Sequence, residues 1–265
     1  MRTFAELLRL FYYQSKLKIA RAMMYRFDFL IGMTVALLFS SIGPVLQYLI
    51  FTQTKGFPGW NLKQIILFQG VLLFVLGIRR ILFGDLHYFI MELIQKGDLD
   101  RLLIKPSPAI GIILSNGFNL NGIGTFLAGS VIMGYSIYSL DLTITAGAIG
   151  LFVLSILFGI VLFMALEILF TCAVIVLVNI GRLDDIVQSL TGFGEYPLSI
   201  FTSTLKIALV TFIPFAVWVN YPADALLHRW DNAQALVSFL FCILLFAFSL
   251  WIWKFCLRRY TSAGG

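Results

Sequence analysis

Long apolar runs alternate with short polar interruptions along the chain. A helix needs about 20 apolar residues to cross the hydrocarbon core of a bilayer, and that ruler predicts six spans, at 27–51, 62–83, 109–138, 145–178, 186–212 and 235–255. The third is rich in glycine (Gly117, Gly122, Gly124, Gly129, Gly134), which lets helix backbones approach closely. The fifth is the least uniform. Pro197 and Pro214 interrupt the stretch that begins at Ile186, and Pro222 closes it, so a broken external or re-entrant segment is expected over 213–232.

Two segments outside the spans are also patterned. Residues 1–26 interleave Phe4, Leu7, Leu8, Phe11 and Leu17 with Glu6, Arg9, Lys16 and Lys18, an amphipathic pattern that predicts a helix lying along the membrane surface or extending the first span. The longest polar interruption, 84–107, places Leu86, Phe89, Ile90, Leu93 and Ile94 on one helical face. Gly97 is placed to end that helix, and Asp98 to cap a second short turn before Pro106. A loop that merely joins two spans could be shorter, so this one is expected to meet something on its polar side. The apolar run 27–51 far exceeds the 7–15 residues or so of a signal-peptide core, and is expected to be retained as a span.

Composition agrees with the pattern. Of 265 residues, 60% are hydrophobic and 12% charged, too few charges to clothe a soluble globule of this size. The net charge of +6 could suggest nucleic acid, but the charges fall in short segments between apolar runs, as in loops facing an anionic leaflet. With the amino terminus inside, fifteen of the 19 Lys and Arg residues lie on the inner side, leaving Lys55, Lys63, Lys206 and Arg229 outside. This asymmetry predicts an even number of spans in the inner cell membrane, with both termini cytoplasmic. Cys172, Cys242 and Cys256 sit in apolar surroundings without metal-ligand spacing and are expected to be packing residues.

The string Lys96-Gly97-Asp98-Leu99-Asp100-Arg101-Leu102-Leu103-Ile104-Lys105-Pro106 resembles the G-x-L-D-x-L-L-x-x-P signature of permease subunits in the ABC-2 family of ATP-driven transporters. Glu195-Tyr196-Pro197, Ile213-Pro214-Phe215 and Tyr221-Pro222-Ala223 resemble that family's Y-P, I-P-F and Y-P-A motifs in the same order. The resemblance implies an all-α membrane subunit of six helices that pairs with a second permease copy or a related permease. It also implies a coupling helix in the 84–107 loop that docks onto an ATPase subunit dimer, where MgATP is bound. The chain contains no G-x-x-x-x-G-K-[ST] phosphate loop and needs no cofactor of its own on this reading.

Candidate site residues fall into three groups. Phe89, Leu93, Leu102 and Leu103 would be the apolar contacts to the ATPase, with Glu92, Asp98, Asp100 and Arg101 setting register. Glu167, deep in the fourth span, is either a pathway residue or a partner in an interhelical hydrogen bond to a tyrosine or to Asn116, Asn119 or Asn121. Glu195, Tyr196 and Pro197 form a candidate pathway or hinge, and Pro214, Trp218, Tyr221 and Pro222 an outer gate or aromatic belt. Arg79 and Arg80 are expected to snorkel to the interface, and His87 and His228 to face solvent.

The favoured function is therefore the permease of an ATP-driven exporter for an amphiphilic or lipid-like substrate, embedded among membrane lipids. Two alternatives differ in class. An ion-coupled carrier should carry more intramembrane acids and an inverted repeat, and a lipid-modifying enzyme should cluster His, Asp or Glu at the surface.

Overall fold

A computed structural model describes residues 2–54, 56–105, 108–177, 192–211 and 214–259 of the chain, with the side chains of 2–8, 177, 215 and 259 excepted. Among these residues every element is helical, and no strand occurs. Among the described residues, four helical stretches are long and apolar enough to cross a membrane: Arg26–Gln53, Leu62–Gln95, Ala146–Val176 and Asn232–Arg258.

The first stretch is bent. α1 (Arg2–Met24) turns at Tyr25 into α2 (Arg26–Ser40), and α3 (Ile42–Gln53) follows after Ser41. The bend has a local cause. Pro44 lacks the N–H that would bond the Ser40 carbonyl, and its ring presses on that turn. α4 (Leu62–Phe83) starts at a reciprocal cap, in which Asn61 Oδ1 accepts from the Gln64 amide at 2.9 Å and Gln64 Oε1 from the Asn61 amide at 3.2 Å. After a bend at Gly84–Asp85 the chain continues as α5 (Leu86–Gln95).

Gly97 ends α5 as expected. With φ at +68°, it lets its own N–H reach the Ile94 carbonyl and the Asp98 N–H the Leu93 carbonyl, the two bonds of a Schellman motif. α6 (Leu99–Leu103) follows, but the Asp98 side chain makes no cap; its Oδ1 accepts instead from Arg101 at 3.1 Å.

The expected third span is two helices, α7 (Ala109–Ser115) and α8 (Gly122–Ser139). Asn116 and Ser115 turn their side chains back onto the Ile112 carbonyl, which competes with continued helix. The peptide groups freed by the break find partners elsewhere. Asn119 N–H donates to the Ile81 carbonyl, Asp85 N–H to the Gly117 carbonyl, and Lys18 Nζ to the Asn116 and Phe118 carbonyls at 2.8 and 2.7 Å. The third proton of Lys18 goes to Asp85 Oδ2 at 2.6 Å, so one ammonium closes the break and holds α1 to it.

α4 and α8 pack backbone to backbone. A Cβ on Gly77 would lie 2.4 Å from Phe126 Cα, and one on Gly129 2.2 Å from the Phe74 nitrogen. Gly117, Gly122 and Gly124 are comparably close to neighbouring backbone, whereas Gly134 has open space. α9 (Ala146–Leu177) begins at Thr145, whose hydroxyl accepts from the Ala148 amide at 3.2 Å.

The expected span 186–212 is not one helix in its described part, and 186–191 and 212 lie outside the described residues. Two 3₁₀ turns, Phe193–Glu195 and Leu198–Ile200, flank Tyr196 and Pro197, which are extended because a residue preceding proline avoids the α region. α10 (Ser203–Thr211) has nine residues, about 14 Å of rise, too short to cross. A further 3₁₀ turn at Phe215–Val217 leads to α11 (Asn220–Leu226), which tolerates Pro222 in its first turn, and then to α12 (Asn232–Arg259). α11 lies against α9 and α4, and α12 packs along α9. All three cysteines are buried, with Cys256 Sγ 3.8 Å from the Cys172 carbonyl.

Candidate functional site

Glu167 projects from α9 into the bundle with its side chain 5% exposed, so its charge requires compensation. The partners are not the tyrosine or asparagines expected of it. His87 Nε2, at the start of α5, lies 2.8 Å from Glu167 Oε2, and Arg79 Nη2, on α4, lies 3.7 Å from Oε1. Neither residue takes the position expected of it. His87 does not face solvent, because the bend at Gly84–Asp85 sets α5 against α9, where the imidazole stacks on Phe170 at 4.0 Å between centroids. Arg79 does not snorkel, because its guanidinium lies 5.3 Å from the Phe163 ring and 5.8 Å from that of Trp218.

The aromatics carry the cluster further. Trp218 is 1% exposed and meets Phe163 edge to face at 4.2 Å. Tyr221 is buried as well, with its hydroxyl 2.8 Å from Ser238 Oγ, which donates to the Val210 carbonyl at 3.0 Å. Pro214 and Pro222 are buried beside them. Trp218 and Tyr221 therefore form no belt at a lipid surface. A continuous set of contacts runs from α5, through Glu167 and Arg79, to the irregular segment before α12.

The 84–105 loop presents a different surface from the one its pattern suggests. Leu102 is 4% exposed and belongs to the core; Phe89, Leu93, Asp98, Asp100 and Leu103 are half-buried. The apolar side chains it exposes are Tyr88 at 78% and Ile104 at 84%, neither singled out by periodicity, because both lie off the apolar face. Glu92, Lys96 and Arg101 are exposed alongside them, and the Glu92 carboxylate holds the Lys96 ammonium above its usual pKa through a hydrogen bond. Behind the loop, a cavity of about 380 Å³ opens between Gln14, Phe89, Leu93, Asp98, Leu102 and Asn116.

Glu195 and Tyr196 are exposed on the irregular segment and Pro197 is buried; this trio is not brought into the Glu167 cluster. Arg80 is exposed on the bundle yet donates to Thr125 Oγ1 at 3.0 Å. His228 is exposed as expected, 3.0 Å from the Thr143 carbonyl. Among the described residues, no group of three or more His, Cys, Asp or Glu side chains is placed to hold a metal ion.

Apolar helices long enough to cross a bilayer, with a buried ionic cluster between them, define a multi-pass membrane protein. Residues 31–264 match the model of the ABC-2 family transporter proteins, and the chain belongs to that family. No curated protein and no solved structure gives a match. Membership makes this chain the membrane subunit of a transporter, and the family implies partnership with an ABC ATPase subunit.

Proposed function

We propose that this chain is the permease of an ATP-driven exporter that moves an amphiphilic or lipid-like substrate, working as a pair of permeases on a separate ATPase dimer that binds MgATP. The observation that carries the reading is the link from the 84–105 loop, through His87, Glu167 and Arg79, to Trp218. Motion of a docked ATPase must reach the pathway through something stiff, and α5 with its buried ionic cluster suits that task. In the docked state Tyr88, Ile104 and Arg101 face the ATPase, with Glu92, Asp98 and Asp100 setting register and Phe89, Leu93, Leu102 and Leu103 supporting the loop from behind. Glu195, Tyr196 and Pro197 act as a hinge in this reading, and Pro214, Trp218, Tyr221 and Pro222 as the gate.

The six-span layout fits the same frame, with both termini cytoplasmic and the Trp60 end of the bundle outside. α7 and α8 form one broken crossing. α9 runs from the Trp60 end past Glu167, and Trp60 Nε1 donates to Ser199 Oγ at 3.0 Å, so Ser199 lies at the Trp60 end again.

The test is to purify the chain with its co-purifying ATP-binding subunit and reconstitute both in vesicles. ATP-dependent movement of a fluorescent lysolipid between leaflets, lost in the Tyr88→Asp/Ile104→Asp double variant with the complex still inserted, is the expected result. Movement that persists without ATP overturns the reading in favour of a secondary carrier.

A further inference from the structure

At the Trp60 end, a cavity of about 270 Å³ lies between the irregular segment and the starts of α4 and α12. Most of the polar groups around it are already committed. Arg229 stacks 5.3 Å from the Trp60 ring and donates to the Gly59 carbonyl at 3.1 Å and Gln64 Oε1 at 3.0 Å. Asp231 Oδ1 caps α12 through the Ala233 and Gln234 amides, and Asn220 Oδ1 accepts from the Leu198 amide at 2.9 Å.

Two charges remain uncommitted. Asp224 on α11 and Lys206 on α10 both line the cavity, and no ion pair or hydrogen bond engages either side chain among the described residues. Both border the same space, near enough for the ammonium to act on the carboxylate, with no ion pair between them. Burial pushes the Asp224 carboxyl up to about 7, against the opposing pull of Arg229 and Lys206. When Asp224 is ionised, an anion and a cation bordering one open space without contact form the complement of a ligand that carries both charges. The cavity is below the ~300–1,000 Å³ that encloses a drug-sized ligand, so it suits a headgroup and not a whole amphiphile. The segments that carry Ser199 and Lys206 also expose Ile200 and Ile207, apolar surface for an attached acyl chain.

We propose that this cavity binds a zwitterionic headgroup, a primary amine directed at Asp224 and a phosphate at Lys206. This names the headgroup class of the exporter's substrate and rests on the export reading above.

The test is equilibrium binding to the purified complex in detergent, with lysophosphatidylethanolamine, lysophosphatidylglycerol and dodecylamine as probes. The zwitterion is expected to bind about tenfold tighter than either singly charged probe, the scale of one charge-assisted hydrogen bond. Asp224→Asn should abolish its advantage over lysophosphatidylglycerol, Lys206→Met its advantage over dodecylamine, and Lys206→Arg should preserve both. The advantage over lysophosphatidylglycerol should fall from pH 8 to pH 6 as Asp224 takes up its proton. In this cavity the titratable and charged groups around Asp224 are Lys206, Arg229, Asp231 and Tyr221, and burial pushes the Tyr221 phenol up to about 12, far above that interval. Free phosphoethanolamine separates the two sources: binding as tight as the lysolipid assigns a soluble zwitterion, and weak binding assigns a lipid headgroup. Equal affinities for all three lipid probes, or no effect of Asp224→Asn and Lys206→Met, overturns the site. ATP-dependent transport without charge discrimination overturns this inference alone, whereas discrimination without ATP dependence overturns the export reading alone.

Discussion

α4 has two seams of opposite character. Toward α8 it presents Gly70 and Gly77 and receives Gly122 and Gly129, so that at these positions backbone meets backbone. Toward α9 and α11 it presents Arg79, whose contacts are a carboxylate at 3.7 Å and two aromatic rings beyond 5 Å. The first seam admits no sliding, because any displacement drives backbone into backbone. The second is held by groups with side-chain freedom and by ring faces that keep contact as they shift. The contrast separates a rigid pair, α4 with α8, from a seam that can be driven, and α5 sits where it can drive it.

Breaking the second seam outright should have the largest effect. Glu167→Leu leaves the partly buried Arg79 without its counter-charge, at a cost of about 1–3 kcal/mol, and should lower the apparent Tm and the monodisperse yield. Gly129→Val attacks the first seam. The Phe74 backbone 2.2 Å from the added Cβ cannot move aside, so about 1–3 kcal/mol should be lost, with the α4–α8 distance measured by paired spin labels increasing.

Leu102 sharpens the division further. Its burial means that Leu102→Asp should reduce the folded fraction instead of uncoupling a folded complex, because an unpaired charge enters the core. Tyr88→Ala and Ile104→Ala should leave Tm nearly unchanged, within ~0.5 kcal/mol, while weakening ATPase binding by roughly fivefold or more in a pull-down titration. Gly134→Ala is the control. It has open space around it, so transport should not change, and the helix propensity gained should raise Tm slightly.

How far the residues announced these features depends on the range of the interactions that made them. Gly97 was legible because its role is local, two backbone bonds closed by a positive φ. Glu167 was legible as an acid within an apolar run, but its partners were not. Arg79 stands at a span end, where snorkelling is the ordinary expectation, and His87 reaches Glu167 only because the chain bends at Gly84–Asp85. The break between α7 and α8 was visible as a cluster of Asn and Gly, yet apolar counting ran through it. What makes the break tolerable is Lys18, nearly a hundred residues away in sequence. Trp218 and Tyr221 carried interface-loving side chains whose burial depends on how α11 folds against α9. The Asp224–Lys206 cavity gave no sequence signal, since its two charges lie on separate short helices.

The most direct test of coupling through the second seam is a double-mutant cycle on ATP-driven transport, with His87→Gln, Glu167→Gln and the double variant in the reconstituted complex. Each single variant should keep basal ATP hydrolysis and lose transport by about tenfold, and the double variant should lose no more than either single, because both break one contact. Losses that multiply in the double variant, or singles that transport at the wild-type rate, would contradict the account.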